Sequence, residues 1–188
     1  MSLLIYKYMI RYARKEDASN LAVLSLRVWL DTYAIEGIKA NYSEYVLSQF
    51  TPAYFELLIR ADSPCMDDKL IESPYRILVF EQEGVLKGYI LINLASHFDD
   101  NSQYGFEIEK LYVDTKFKGL GIGRSLIDAV KQNFGHLFWL YTWVENESNR
   151  FYTHLGFKQI GQFSFSFSEQ LIENNVYHYS ETADIAKG

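Results

Sequence analysis

A single cysteine, Cys65, stands in 188 residues, which excludes an internal disulfide and a cysteine-based metal cluster. Histidine is nearly as scarce. The four present, His97, His136, His154 and His178, are isolated from one another; no pair has ligand spacing, and no metal site is expected. No apolar run approaches the roughly 18 residues that a spanning helix needs, so no membrane segment is expected. The opening Met1-Ser2-Leu3-Leu4-Ile5-Tyr6-Lys7 lacks the basic region, long apolar stretch and small-residue cleavage site of a secretory leader, which makes a cytoplasmic location the expectation. Positive charge is in deficit: 18 Lys and Arg face 24 Asp and Glu, for a net charge of −6. That argues against a nucleic-acid binder, whose footprint would be basic, and leans toward cationic partners such as amines. No internal repeat and no shift in composition divides the chain. It reads as one domain over residues 1–180, with a short tail at 181–188.

What is present is a core. The chain is 48% hydrophobic, with 15 Tyr and 13 Phe, enough to bury a sizeable interior in a globular fold. Residues 5–13 read as an opening strand. Asp17 to Tyr33 reads as a helix, with Leu21, Leu24 and Val28 at helical spacing. Ser43 to Phe50 is a short helical pattern. Thr51-Pro52 then suits an N-cap followed by proline at the first helical position, for a helix through Ile59. Residues 61–74 read as a surface loop, with a short helix over Asp67 to Ile71. Arg76–Phe80 and Val85–Leu94 form a hairpin around Glu81-Gln82-Glu83-Gly84, and Gly88 marks a bulge or a close approach. His97 to Gln103 is a polar loop, and Tyr104 to Val113 is the longest strand signal. A helix follows over Ser125–Phe134, then a strand over His136–Val144. Asn146–Leu155 is a short helix closed by Gly156. Strands over Phe157–Phe167 and Val176–Ser180 end the fold. This order of elements specifies a mixed α/β domain.

Between the strand ending at Val113 and the helix opening at Ser125 lies Lys118-Gly119-Leu120-Gly121-Ile122-Gly123-Arg124. Three glycines at alternate positions allow a tight turn with its amides presented outward. The following helix aims its first N–H groups at the same place. That is an anion site, most simply one for phosphate. Two nucleotide signatures fail on spacing. The dinucleotide fingerprint would need glycine where Arg124 or Leu126 stands, and a Walker A loop would need glycine where Lys118 stands.

The loop is similar to the acyl-CoA loop of the GNAT N-acetyltransferase superfamily, [QR]-x-x-G-x-[GA]. Lys118, Gly121 and Gly123 occupy those positions, with lysine replacing glutamine or arginine. A second stretch, Asn146-Glu147-Ser148-Asn149-Arg150-Phe151-Tyr152-Thr153-His154-Leu155-Gly156-Phe157, resembles the superfamily's N-x-x-A-x-x-F-Y-x-x-x-G-F helix. Phe151, Tyr152, Gly156 and Phe157 match. Ser148 falls at the small alanine position, and Asn146 lies one residue too close to Tyr152. The segments Trp29–Tyr33, Glu107–Val113, Trp139–Trp143 and Gly161–Phe165 further resemble the bacterial PaiA-like polyamine and diamine acetyltransferases. The resemblance implies the GNAT fold: a mostly antiparallel central sheet flanked by helices.

It also implies acetyl-CoA as cosubstrate and a set of roles. Lys118, Gly119, Leu120, Gly121, Ile122, Gly123 and Arg124 would cradle the pyrophosphate. Leu111, Tyr112 and Val113 would offer backbone groups to the pantetheine arm, with Asn146 and Ser148 as further cofactor contacts. Tyr152 matches the tyrosine that protonates the departing thiolate. Strand alternation puts Glu107, Glu109, Leu111 and Val113 on one face and Phe106, Ile108, Lys110 and Tyr112 on the other. Two carboxylates two residues apart can hold an ammonium and relay its proton, and repulsion between them would raise one pKa. The alternative is that both meet solvent or pair with nearby lysine or arginine. Glu109 matches the commoner family position of the base, and Glu107 the position used by histone-acetylating members. Trp29 and Tyr33, one helical turn apart, would wall the acceptor cleft or pack the core.

The function expected is N-acetyl transfer from acetyl-CoA to a primary amine, with a polyamine or diamine first. A protein N-terminus, a lysine or an aminoglycoside remains open as acceptor. Further acidity in the cleft, from Asp31, Glu36, Asp99 or Asp100, would separate these. The competing class is a non-catalytic CoA-binding regulatory module. Edge strands late in the chain allow a homodimer.

Overall fold

The computed structural model describes residues 8–60, 73–167 and 170–181. The expected helix at Asp67–Ile71, Cys65, the start of the first strand and the tail beyond Glu181 lie outside these residues. Seven strands lie among the described residues: β1 Tyr8–Tyr12, β2 Tyr75–Gln82, β3 Val85–Asn93, β4 Phe106–Val113, β5 Leu137–Trp143, β6 Lys158–Phe167 and β7 Gln170–Ser180. Among the same residues are five α-helices: α1 Ala18–Tyr33, α2 Ala40–Gln49, α3 Pro52–Arg60, α4 Ile122–Phe134 and α5 Ser148–His154. Hydrogen bonding orders the strands β1-β2-β3-β4-β5-β7-β6. Chain contacts group into two compact units, Met1–Leu94 with Glu109–Ala129, and Ala95–Ile108 with Val130–Gly188.

In the first unit, β1, β2 and β3 pair antiparallel. The β2–β3 hairpin turns on Glu83 and Gly84, both with positive φ, as a two-residue turn of matching twist requires. Its register shifts at Phe80/Glu81, opposite Gly88. A Cβ on Gly88 would lie 2.9 Å from the Tyr112 carbonyl oxygen and 3.2 Å from methyl carbons of Val113 and Ile122. The glycine marks both a bulge and a close approach, because no side chain fits between β3, the end of β4 and α4.

Helices α1 and α3 bury Leu21, Leu24, Val28, Phe55 and Leu58 against Ile77, Val79, Tyr89 and Leu91. The alternation of β2 and β3 and the helical spacing of α1 meet in that core. Thr51 caps α3 as expected, its Oγ1 accepting from the Tyr54 amide at 3.1 Å. Where α1 enters, the Arg11 guanidinium binds Asp17 at 2.6 Å and also Glu81. The Asp17 carboxylate also accepts the Arg14 amide at 2.7 Å. Burial alone would raise this carboxyl; Arg11 and the Arg14 amide outweigh burial and hold it below its ordinary value.

The second unit joins β4 to β5 in parallel through Phe106↔Phe138 and Glu107↔Trp139. It then pairs β5 with β7 and β7 with β6, both antiparallel. Phe106, Phe134, Phe138, Phe157 and Tyr179 make a ring-on-ring core. Gly156 sits at φ +89° just past α5, the left-handed stop read from the sequence.

Two of the boundaries that move have a local cause. The helix after the glycine loop starts at Ile122 rather than Ser125, because Gly121 in the left-handed region already lends its carbonyl to the Ser125 amide at 2.9 Å. The last strand starts at Gln170 rather than Val176, since its polar Glu173-Asn174-Asn175 stretch pairs with Ser164, Phe163 and Gln162 of β6. That stretch hides the strand from a hydrophobicity pattern.

Candidate active site

In the first unit, β4 leads into a tight turn at Thr115–Phe117. Asp114 opens the turn, its carboxylate accepting the Lys116 amide at 3.0 Å. The glycine loop follows. Gly119 and Gly121 both adopt φ +80°, and a Cβ on either would have nothing within 4 Å. The amides of Lys118 and Leu120 are spent on the carbonyls of Thr115 and Phe117. Those of Ile122, Gly123 and Arg124 open α4, where helix geometry supplies no acceptor. The amides suited to an anion therefore lie in the second half of the Lys118–Arg124 stretch, and the space at Gly119 and Gly121 leaves room beside the backbone. The residues present thus fit the diphosphate of a CoA thioester.

Glu109 lies on β4 of the same unit. Its carboxylate accepts the Asn93 side-chain amide at 3.0 Å and stands 3.8 Å from the Lys110 ammonium. Asn93 is paired in register with Tyr75, so Tyr75, Asn93 and Glu109 form a row across β2, β3 and β4.

This row corrects the expected alternation. Asn93 and Tyr89 are four residues apart on β3 and share a face. Asn93 holds Glu109, while Tyr89 packs on Tyr112 with ring centroids 5.6 Å apart. Glu109 and Tyr112, three apart, therefore point the same way. Alternation breaks once between them, and Val113, beside Gly88 and Ile122, faces away from Glu109 rather than with it.

Around this row stands a set of aromatic side chains. Trp29 and Tyr33 on α1 contact each other at 4.7 Å between centroids, and Trp29 also meets Tyr42 and Tyr45 of α2 at 5.4 and 5.0 Å. Trp29 is only 7% exposed, so most of it is packed. Burial, with Tyr45 nearby, pushes the Tyr33 hydroxyl up to about 12. Burial, then Glu109, Tyr75 and Tyr45, push that of Tyr54 up to about 12. These phenols stay neutral at any physiological pH. Tyr54, Tyr75 and Asn93 escaped the sequence reading. Only the strand register and the α3 packing bring them near Glu109, and no motif carries either.

In the second unit, Glu107 is 8% exposed and paired with Trp139. Trp139 is followed across β7 and β6 by His178 and Lys158. The His178 imidazole is held below its ordinary pKa by burial, then by Lys158. Tyr152 on α5 is 7% exposed, with its ring centroid 5.4 Å from Phe157 and 5.9 Å from Tyr177.

Asn146 uses its side-chain oxygen on the Ser148 amide at 2.9 Å, and the Ser148 hydroxyl meets that of Thr142 at 3.2 Å. The residue organising this corner is Asn149, which the sequence reading passed over. Its amide donates to the carbonyls of Trp143, Val144 and Asn146, and its oxygen accepts from Asn175 and from the Tyr177 hydroxyl.

Among the described residues, no group of three or more His, Cys, Asp or Glu side chains has metal-site geometry. No helix among them is long and apolar enough to cross a membrane.

Comparison with known proteins agrees with this architecture. The chain is 21% identical over 122 residues to the spermine/spermidine N(1)-acetyltransferase of Bacillus subtilis, spanning 61% of this chain and 80% of that one. Its fold is similar to the PaiA N-acetyltransferase of Thermoplasma acidophilum in complex with coenzyme A. That match has a TM-score of 0.66 at 18% identity and covers 89% of this chain and 98% of the other. It is also similar to YncA of Salmonella typhimurium with its cofactor acetyl-CoA, with a TM-score of 0.59, 21% identity and coverage of 96% and 98%. Residues 43–157 match the Acetyltransferase (GNAT) family; with that span running from α2 through the glycine loop to the Tyr152 helix, the chain belongs to the GNAT acetyltransferases.

Proposed function

We propose that this acetyltransferase moves the acetyl group of acetyl-CoA onto a primary amine, by direct attack with Glu109 as base and Tyr152 as acid. One observation carries the reading: a single strand, β4, presents the Glu109 carboxylate and then runs into the glycine loop that opens α4. The amides of Ile122–Arg124 and the side chains of Lys118 and Arg124 suit the diphosphate. The backbone of Leu111–Val113, at the end of β4, suits the pantetheine arm.

Glu109 takes the proton that the acceptor ammonium must lose before its nitrogen lone pair attacks the thioester carbonyl. The neutral phenols of Tyr33 and Tyr54 leave the carboxylate as the base among these groups. As the carbon–sulfur bond breaks, the Tyr152 hydroxyl protonates the thiolate. Glu107 is a second carboxylate on the same strand and assists the proton's exit.

For the acceptor, a small polyamine or diamine comes first. The Bacillus subtilis relative is a spermine/spermidine acetyltransferase, and aromatic faces beside a carboxylate favour an ammonium. Trp29 and Tyr33 contribute to that aromatic wall. Asp31 is directed instead to the turn after β4, where its carboxylate accepts the Thr115 hydroxyl.

The test is incubation with acetyl-CoA and a panel of polyamines, lysine peptides and aminoglycosides, following thiol release. Turnover on polyamines supports the reading. Absence of CoA binding refutes the donor site, and binding without turnover across the panel identifies a regulatory module instead.

A further inference from the structure

The glycine loop makes few contacts of its own, as the open space around Gly119 and Gly121 shows. Its position must therefore be inherited from the turn before it. That turn is gripped by α1. Arg27 meets the Asp114 carboxylate at 2.9 Å, and Asp31 accepts the Thr115 hydroxyl at 2.9 Å.

Arg27 and Asp31 are one helical turn apart, so they stack on one side of α1. They flank the core stripe of Leu21, Leu24 and Val28, while Trp29 and Tyr33 stack on its other flank. Asp114 is 8% exposed, and its remaining groups are also engaged. Its amide donates to the Lys87 carbonyl at 2.9 Å, its second carboxylate oxygen accepts the Lys116 amide, and its carbonyl accepts the Phe117 amide at 2.8 Å. The Lys87 ammonium sits 4.4 Å from the centre of the Phe117 ring. The turn is thus fixed on the β3 side by main chain and on the α1 side by two side-chain contacts.

We propose that Arg27 and Asp31 are positioning residues for the donor. By clamping Asp114 and Thr115 they set where the loop and the first turn of α4 meet the diphosphate. The inference rests on the donor-loop reading above. It assigns a role in coenzyme affinity to the side of α1 away from Trp29 and Tyr33.

The experiment compares acetyl-CoA with S-acetylpantetheine, which carries the same thioester but no diphosphate. In Arg27→Gln and Asp31→Ala the Kd for CoA should rise about threefold each, and about tenfold in the double variant, in line with partly exposed polar contacts. kcat at saturating acetyl-CoA should hold, and kcat/KM with S-acetylpantetheine should not fall. Asp31→Asn, which keeps an acceptor for Thr115, should recover most of the affinity, and the near-isosteric Thr115→Val should reproduce the loss. A double variant that binds CoA like the parent overturns the proposal, as does one that loses both donors equally. A parent enzyme that binds CoA no better than pantetheine would overturn the donor-loop reading itself.

Discussion

The Asn93 side-chain amide donates to the Glu109 carboxylate at 3.0 Å, across two neighbouring strands. In the proposed reaction this bond orients the base through one oxygen, while the other stands 3.8 Å from the Lys110 ammonium. Glu109→Gln should lower kcat by about a hundredfold or more, the usual scale of general base catalysis. Asn93→Leu should cost less, about tenfold, because the carboxylate remains but its orientation relaxes. Thiol release at saturating acetyl-CoA reads both. Full activity in Glu109→Gln would move the base elsewhere, to Glu107 first.

Tyr152 separates chemistry from packing. Its ring sits against Phe157 and Tyr177, so Tyr152→Phe keeps the packing and removes only the hydroxyl. We expect kcat to fall while CoA affinity and thermal stability stay close to the parent. A fall in affinity with kcat preserved would make Tyr152 a binding residue. Tyr152→Ala would confound the two, since deleting a buried ring costs about 3–5 kcal/mol of stability.

Where sequence sufficed and where it did not follows one rule. Features set by the backbone of a few consecutive residues were legible. The glycine loop, the Thr51-Pro52 helix start, the Gly156 stop and the crowding at Gly88 all depend on local conformation that only certain residues tolerate. Features set by strand register were not legible. The Tyr75–Asn93–Glu109 row needs three strands aligned to within one residue. The break in alternation between Glu109 and Tyr112 leaves no mark in Glu109-Lys110-Leu111-Tyr112. Asn149 lies inside the very stretch that identified the family, but its five hydrogen bonds reach β5 and β7, and a spacing pattern does not report them.

The glycine loop makes a prediction with two separable readouts. Gly121 has φ +80° and open space where a Cβ would go, so a side chain there meets strain rather than a clash. Gly121→Ala should cost about 1–2 kcal/mol of stability from the left-handed backbone. Gly121→Val should in addition cover the amides that open α4 and weaken CoA binding by at least about tenfold, the worth of one charge-assisted hydrogen bond. Calorimetric unfolding reads the first and CoA titration the second. Unchanged affinity in Gly121→Val would contradict the assignment of the diphosphate to this end of α4.

The Asn149 side-chain amide donates to three carbonyls, of which those of Trp143 and Asn146 also accept main-chain amides of the same turn. Asn149→Leu, similar in size, removes the side-chain donor to the Val144 carbonyl and the acceptor of the Asn175 amide and the Tyr177 hydroxyl. The expected loss is about 1–3 kcal/mol, a fall in Tm of roughly 2–12 °C for a chain of this length. A melting temperature within about a degree of the parent would show that water replaces the amide without cost.

The Arg11–Asp17–Glu81 cluster predicts how the fold responds to acid. Burial would raise the Asp17 carboxyl, yet Arg11 and the Arg14 amide bring it below its ordinary value of 3.8. Between the folded value and 3.8 the unfolded chain binds the proton more readily. Asp17 therefore contributes its full share of stability at neutral pH, and that share disappears as the pH falls through the folded value. Asp17→Asn should remove about 1–3 kcal/mol at pH 7, the range for a hydrogen bond to a charged group. The parent and variant unfolding curves should then converge as the pH is lowered through the region below 3.8. Urea unfolding at a series of pH values measures this. A gap that stays constant into strong acid would mean that the carboxylate's charge contributes nothing to stability.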